Sequence, residues 1–123
     1  MGAERTSAAA EQGLAVRWAL AGAPAGVEDA LASYVEESSH ARFTGLAGLR
    51  FKTWRMRRGE WFEGCYVFET AADRSAFEEA FTADAASSPV SQIVGAGPEL
   101  VEPFEVVAVA EGGSGFRAAP TYR

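Results

Sequence analysis

Two strand-like runs flank a turn in the segment LRFKTWRMRRGEWFEGCYVF, residues 49–68. The first run ends at Arg57 and the second begins at Trp61, and both are rich in aromatic and other β-favouring residues. Between them, Arg58-Gly59 favours a tight turn. The spacing predicts a β-hairpin, which places two neighbouring strands in the middle of the chain.

Further strands and helices are predicted on both sides of this hairpin, from apolar periodicity and from capping residues such as Thr70. These predicted elements are a strand over residues 14–20, a helix over about 25–39, an amphipathic helix over about 71–83, a short helix over 90–94 and a strand over 101–110. The main elements therefore follow the order β-α-β-β-α-β. This order predicts an α+β, ferredoxin-like fold with a four-stranded antiparallel sheet and both helices on one face.

Composition limits what the domain can be. The chain has 123 residues, a net charge of −6, one cysteine and one histidine. Residues 1–12 are predicted to be a flexible lead-in, residues 13–111 one domain, and residues 112–123 a C-terminal tail. Cys65 and His40 alone supply neither a disulfide framework nor a Cys/His zinc site within one chain.

Charge and hydropathy exclude two further classes of partner. The acidic balance argues against nucleic acid, which requires a basic patch. An apolar run of about 18 residues is missing, which argues against a membrane-spanning helix. Because the first residues also lack a secretory pattern, we expect a cytoplasmic protein.

The two faces of the predicted sheet are both apolar. If the turn centres on Arg58-Gly59, Lys52 and Trp54 lie on one face and Tyr66 lies on the other. Neither face then alternates with enough polar residues to meet open water. Exposed apolar patches of that size mark interfaces, so we expect a homodimer that buries the second face.

The stretches GLRFKTW, residues 48–54, and EGCYVF, residues 63–68, resemble the YdhR-like family of monooxygenases. The family's strand positions are filled by Lys52, Trp54, Gly64, Tyr66 and Phe68. Ala47 stands where the family usually has proline. The resemblance covers about residues 13–111. The resemblance implies a dimeric α/β barrel, the fold of a superfamily that also contains the small cofactor-independent antibiotic-biosynthesis monooxygenases.

The candidate catalytic residues are Lys52, Trp54, Tyr66 and His40. Lys52 would stabilise an anion formed on the substrate, and its alternative role is a cross-strand ion pair with Glu63. His40 or Tyr66 would act as the base, because a neutral-range pKa suits His40 to take a proton from a phenol. The alternative for His40 is a solvated histidine at a helix end.

The candidate substrate-binding residues are aromatic or cationic: Phe51, Phe68, Trp18, Tyr34 and Arg50. They would line an aromatic pocket and stabilise an anion, and the alternative for the aromatic residues is a place in the core or in a dimer interface. Neither a cofactor nor a metal is expected. Haem is not expected, because residues 71–83, which form the second main predicted helix, contain no histidine to ligate it. A dinucleotide is not expected, because the stretch around Gly95 lacks the spacing of a dinucleotide-binding loop.

Three functions are compatible with this sequence. The resemblance implies a cofactor-independent monooxygenase that acts on an aromatic or polyketide-like molecule. A non-catalytic dimer that binds a small ligand or a protein would share the fold and the pocket. An isomerase, cyclase or lyase of the same superfamily would use the pocket for acid–base chemistry without adding oxygen.

Overall fold

The computed structural model describes residues 10–122 and has an α+β architecture built on one antiparallel sheet. Its elements are β1 (Glu11–Ala19), α1 (Val27–Tyr34), α2 (His40–Phe43), β2 (Leu49–Arg57), β3 (Trp61–Phe68), α3 (Ala71–Ala83), α4 (Pro89–Val94) and β4 (Leu100–Glu105). The four strands lie in the order β2-β3-β1-β4, and all neighbours are antiparallel. This order fits the predicted ferredoxin-like arrangement. Most of the predicted lead-in, residues 1–12, lies outside the described residues.

The first helical segment ends later than predicted and contains a π-helical turn. Helix α1 continues through the π turn Val35–Ser39 directly into α2, and the chain becomes extended only at Thr44. A π turn inserts one extra residue into a helix and is often found at functional sites. Here Ser39, at its end, is buried at 2% exposure.

The β2–β3 hairpin has a three-residue loop instead of the predicted two-residue turn. Arg57 pairs with Trp61, so the loop consists of Arg58–Glu60, with Gly59 at a φ of 80°. A shift of one residue in strand register moves side chains to the other face. The predicted separation of Tyr66 from Trp54 is therefore wrong.

The face of the sheet that packs against the helices carries the core. Lys52 pairs with Tyr66 and Trp54 pairs with Gly64, so all four positions lie on this face. The buried residues of β1 and β3 that pack here are Leu14, Val16, Trp18, Phe62, Tyr66 and Phe68. Helix α3 covers them and begins as predicted at Thr70, whose side chain accepts a hydrogen bond from the Asp73 N–H at 3.0 Å.

The opposite face, called the outer face below, carries an ion-pair network. Glu63 is buried at 2% exposure between Arg17, at 3.1 Å, and Arg55. The Arg17 guanidinium also lies 4.0 Å from the centre of the Trp61 ring. Because Glu63 and Lys52 point to opposite faces, the alternative of an ion pair between them is wrong.

The last strand ends earlier than predicted, at Glu105 instead of residue 110. Residues 106–122 form neither a helix nor a strand, and Val107 is 91% exposed. The Phe116 ring reaches the Phe51 ring on β2, with 5.5 Å between their centres. Among residues 10–122, no helix is long and apolar enough to cross a membrane.

Gly13 on β1 gives room to the ring of Phe104 on β4. A Cβ atom at position 13 would lie 2.1 Å from Phe104 Cε1, which is far inside van der Waals contact. We therefore expect Gly13→Ala to lower the free energy of unfolding by about 1–3 kcal/mol, the usual cost of overpacking. Urea unfolding measures this cost. In a Phe104→Ala background the same substitution should cost much less, and an equal cost in both backgrounds would contradict the assignment.

Candidate active site

A cavity of about 430 Å³ lies between the helices and the sheet. Its volume falls within the range of small-molecule sites, and eight of its 18 lining residues are aromatic. Five residues proposed from the sequence line it: Trp18, Tyr34, Lys52, Trp54 and Tyr66. The corrected hairpin register brings Lys52, Trp54 and Tyr66 together at this cavity.

The other four proposed residues lie elsewhere. His40, Arg50 and Phe51 line a second depression of about 320 Å³, bordered by residues 116–118 of the C-terminal tail. The His40 ring packs on Trp54 with 5.7 Å between the ring centres, but His40 does not line the cavity. Phe68 is buried and stacks against Tyr66 at 6.0 Å, behind the cavity wall.

The ammonium of Lys52 is enclosed by an aromatic cage, defined here as the rings of Phe43, Trp54 and Tyr66. Its Nζ atom lies 3.6 Å from the centre of the Phe43 ring, 4.4 Å from that of Tyr66 and 4.5 Å from that of Trp54. Among residues 10–122, no carboxylate forms an ion pair with Nζ. Cation–π contacts are therefore its main compensation for lost water.

Burial lowers the pKa of Lys52 well below its ordinary value of 10.5, and the nearby positive charge of Arg42 lowers it further. Both effects disfavour the ammonium form. At neutral pH, Lys52 is therefore present as the free amine to a larger extent than an exposed lysine. A free amine accepts a proton, so the environment suits Lys52 to act as a base.

Tyr66 is affected in the opposite direction. Its side chain is only 4% exposed, and burial raises the pKa of the Tyr66 phenol well above its ordinary value of 10.0. The phenol therefore keeps its proton at neutral pH and acts as a hydrogen-bond donor. This environment does not suit the role of base that the sequence suggested for Tyr66.

Gly64 lies at the floor of the cavity and makes room for the side chains of Lys52 and Tyr66. A Cβ atom at this position would lie 3.3 Å from Lys52 Cε, 3.3 Å from Tyr66 Oη and 3.2 Å from Tyr66 Cε1. The end of the Lys52 chain and the Tyr66 hydroxyl therefore both lie over Gly64. The missing side chain leaves the room that these two side chains occupy.

The π turn fixes the cage from the helix side. Trp54 Nε1 donates a hydrogen bond of 3.1 Å to Ser39 Oγ, whose side chain the π turn brings to the cavity. Arg42, one turn further on, is exposed and also lines the cavity. Sequence reasoning missed both residues, because the predicted helix ends at about residue 39 and its apolar spacing gives no signal of an inserted residue.

Helix α4 holds the opposite end of the cavity. Trp18 Nε1 donates a hydrogen bond of 2.9 Å to Ser91 Oγ, which in turn donates one of 2.7 Å to the Ala85 carbonyl. Ser88 caps this helix, as its predicted start requires, and Gly95 ends it. The lining residues that sequence reasoning did not propose include Ser39, Arg42, Phe43, Phe62, Gly64, Phe77, Phe81, Asp84 and Ser88.

Residues 10–122 contain no cluster of three or more His, Cys, Asp or Glu side chains that could hold a metal ion. Cys65 lies on β3 with its side chain on the outer face, since it pairs with Thr53 and Ala15. Burial raises the pKa of its thiol. A raised pKa disfavours the thiolate, so Cys65 is a poor nucleophile in this chain.

The lowered pKa of Lys52 has a measurable consequence for stability. Between that lowered pKa and 10.5, the unfolded chain binds more protons at this site than the folded chain does. In this window the free energy of unfolding therefore rises with pH. Lys52→Met removes this pH dependence. The free energy of unfolding of the variant, relative to that of the wild type, should therefore fall between about pH 7 and about pH 10.

Urea unfolding of the wild type and of Lys52→Met across this pH range measures the difference between their free energies of unfolding. The contributions of the other titrating groups are nearly equal in the two proteins, so they largely cancel in this difference. Arg57→Met is the matched control, because Arg57 lies on the same strand with a side chain that is 68% exposed. A Lys52→Met difference that does not change with pH would show that Lys52 has an ordinary pKa.

Comparison with known proteins assigns no family. No protein-family model matches the chain, and no curated protein matches it. The resemblance to the YdhR-like monooxygenases therefore stays a prediction.

Proposed function

We propose that this protein is a small cofactor-independent monooxygenase, related to the YdhR-like family, whose substrate is an aromatic or polyketide-like molecule. The observation that carries the proposal is the meeting of a buried amine, Lys52, and a buried phenol, Tyr66, over Gly64 in an aromatic cavity. A base beside a hydrogen-bond donor is the pair that proton abstraction next to a carbonyl requires.

In this proposal the substrate activates oxygen itself. The Lys52 amine takes a proton from an acidic C–H group, and Tyr66 donates a hydrogen bond to the neighbouring oxygen as negative charge develops there. The substrate anion passes electrons to O₂ and forms a C–OOH bond. Loss of water then leaves a carbonyl, so that R₂CH₂ and O₂ give R₂C=O and H₂O.

The walls of the cavity support this substrate class. Phe43, Phe77 and Phe81 supply aromatic surface for a planar ring system. Arg42 places a positive charge beside the cavity. That charge stabilises an anionic substrate without contacting the reacting carbon.

We further propose that two copies of the chain associate through the outer face to form a dimeric α/β barrel. Val107 and Val109 follow β4 and are 91% and 52% exposed in the single chain. Phe51 and Cys65 on the outer face are only partly covered. A second copy seated on the outer face would cover Phe51 and Cys65 together with the ion-paired Arg17, Glu63 and Arg55, and covering exposed apolar surface is favourable. Light scattering should give about twice 13.0 kDa, and a mass near 13.0 kDa at micromolar concentration would contradict the dimer.

Oxygen uptake with anthrone tests the oxidation directly. We expect consumption of O₂ with anthraquinone as the product, and incorporation of ¹⁸O from ¹⁸O₂ into the new carbonyl. Exchange of the substrate's acidic proton without O₂ uptake would instead indicate an isomerase or cyclase with the same base. Tight binding with neither exchange nor uptake would indicate a ligand-binding protein.

A further inference from the structure

Lys52 is the single lysine of the chain, and its surroundings differ from those of a structural lysine. Three aromatic rings surround Nζ at 3.6–4.5 Å; their cation–π attraction favours the ammonium, whereas the desolvation that they impose disfavours it. Among residues 10–122, it has no ion-pair partner that would favour the ammonium. Desolvation of this kind is what makes a lysine amine nucleophilic.

The amine can also be reached by a ligand. Lys52 lines the cavity of about 430 Å³, and so does Gly64, over which the end of the Lys52 chain packs. Tyr66 Oη lies over the same glycine. An electrophilic carbon placed there would therefore meet a nitrogen nucleophile and a hydroxyl donor together.

We propose that Lys52 forms a Schiff base with an aromatic aldehyde or ketone bound in this cavity. The amine nitrogen bonds to the carbonyl carbon to give a carbinolamine, and the carbonyl oxygen then leaves as water with the two amine protons. The balance is R–NH₂ + O=CR′₂ → R–N=CR′₂ + H₂O. This activity needs no oxygen, so it does not depend on the proposed oxidation.

Tyr66 is assigned as the group that assists this step. Its phenol remains protonated at neutral pH because burial raises its pKa. A hydrogen bond from this phenol to the carbonyl oxygen polarises the carbonyl and helps that oxygen to leave as water. The cage and the ring of Phe77 favour a planar aromatic compound over an aliphatic one.

Reductive trapping under nitrogen tests the proposal. The protein is incubated with 2-naphthaldehyde and sodium cyanoborohydride near pH 7, and peptide mapping separates adducts at Lys52 from those at the α-amino group. We expect Lys52 to be modified faster than the amine of Nα-acetyl-lysine amide by about tenfold or more. Modification of Lys52 at or below the rate of that free amine would overturn the proposal.

Two further arms make the result specific to the cavity. Butyraldehyde should show a smaller acceleration than 2-naphthaldehyde at Lys52, and urea-unfolded protein should show none. Tyr66→Phe should slow trapping at Lys52 but leave modification of the α-amino group unchanged. An acceleration that persists in urea, or is equal for both aldehydes, would contradict a role for the cavity.

Discussion

Replacement of Lys52 by methionine is expected to lower oxygen uptake with anthrone by about 10²- to 10⁴-fold, the usual contribution of a general base. Methionine is unbranched like lysine and only one atom shorter, so it fills most of the same space inside the aromatic cage, but it cannot accept a proton. The cage and the cavity should therefore survive while the chemistry is lost. Initial rates of O₂ consumption at saturating anthrone, with circular dichroism as a check of folding, measure the effect.

Arg57→Met is the matched control for this prediction. Arg57 lies on the same strand, pairs with the exposed Glu60 at 3.0 Å and points to the outer face. Its replacement removes one positive charge from β2 without touching the cavity, so turnover should be unchanged. Full activity of a folded Lys52→Met protein would remove Lys52 from the mechanism.

Gly64→Val is expected to reduce turnover by about 100-fold, because a displacement of reacting groups by about 1 Å has costs of that size. The Cβ atom alone would lie 3.2–3.3 Å from Tyr66 and Lys52 atoms, and the two Cγ atoms of valine would extend further over the floor. Valine suits a β-strand, so the loss should appear in activity more than in folding. Oxygen uptake and urea unfolding of the same variant separate the two effects.

Cys65→Val provides the control for Gly64→Val. It introduces the same side chain at the next position of β3, but on the outer face. We expect it to leave turnover unchanged. Equal losses in both variants would mean that the strand, and not the floor of the cavity, is sensitive to valine.

The order of the elements was predictable from local signals, whereas the faces of the hairpin were not. These signals include the alternation in β1, the cap at Thr70 and the breaks at glycine and proline. Each of them depends on a few neighbouring residues only, so it can be recognised in the sequence without knowledge of the fold. The face on which Tyr66 lies depends on whether Glu60 belongs to the loop or to the strand. The composition around Gly59 is compatible with both loop lengths.

The candidate site was also predictable only where it depends on neighbouring residues of the sequence. Lys52 and Trp54 lie two residues apart on one strand, so their shared face follows from strand periodicity. Ser39 lies at the end of the π turn and Arg42 follows it, and both line the cavity, but the local sequence does not indicate a π turn. The direction of the Lys52 and Tyr66 pKa shifts depends on burial, which follows from the assembled fold.

The claim on which this account rests is that Lys52 is a desolvated amine, available as a base and as a nucleophile. Because the chain has a single lysine, ¹³C labelling of lysine gives one Cε signal, and its titration followed by NMR reports the pKa of this residue alone. We expect a midpoint well below 10.5 in the folded protein, returning to the ordinary lysine value in urea. A midpoint at or above 10.5 in the folded protein would contradict the account.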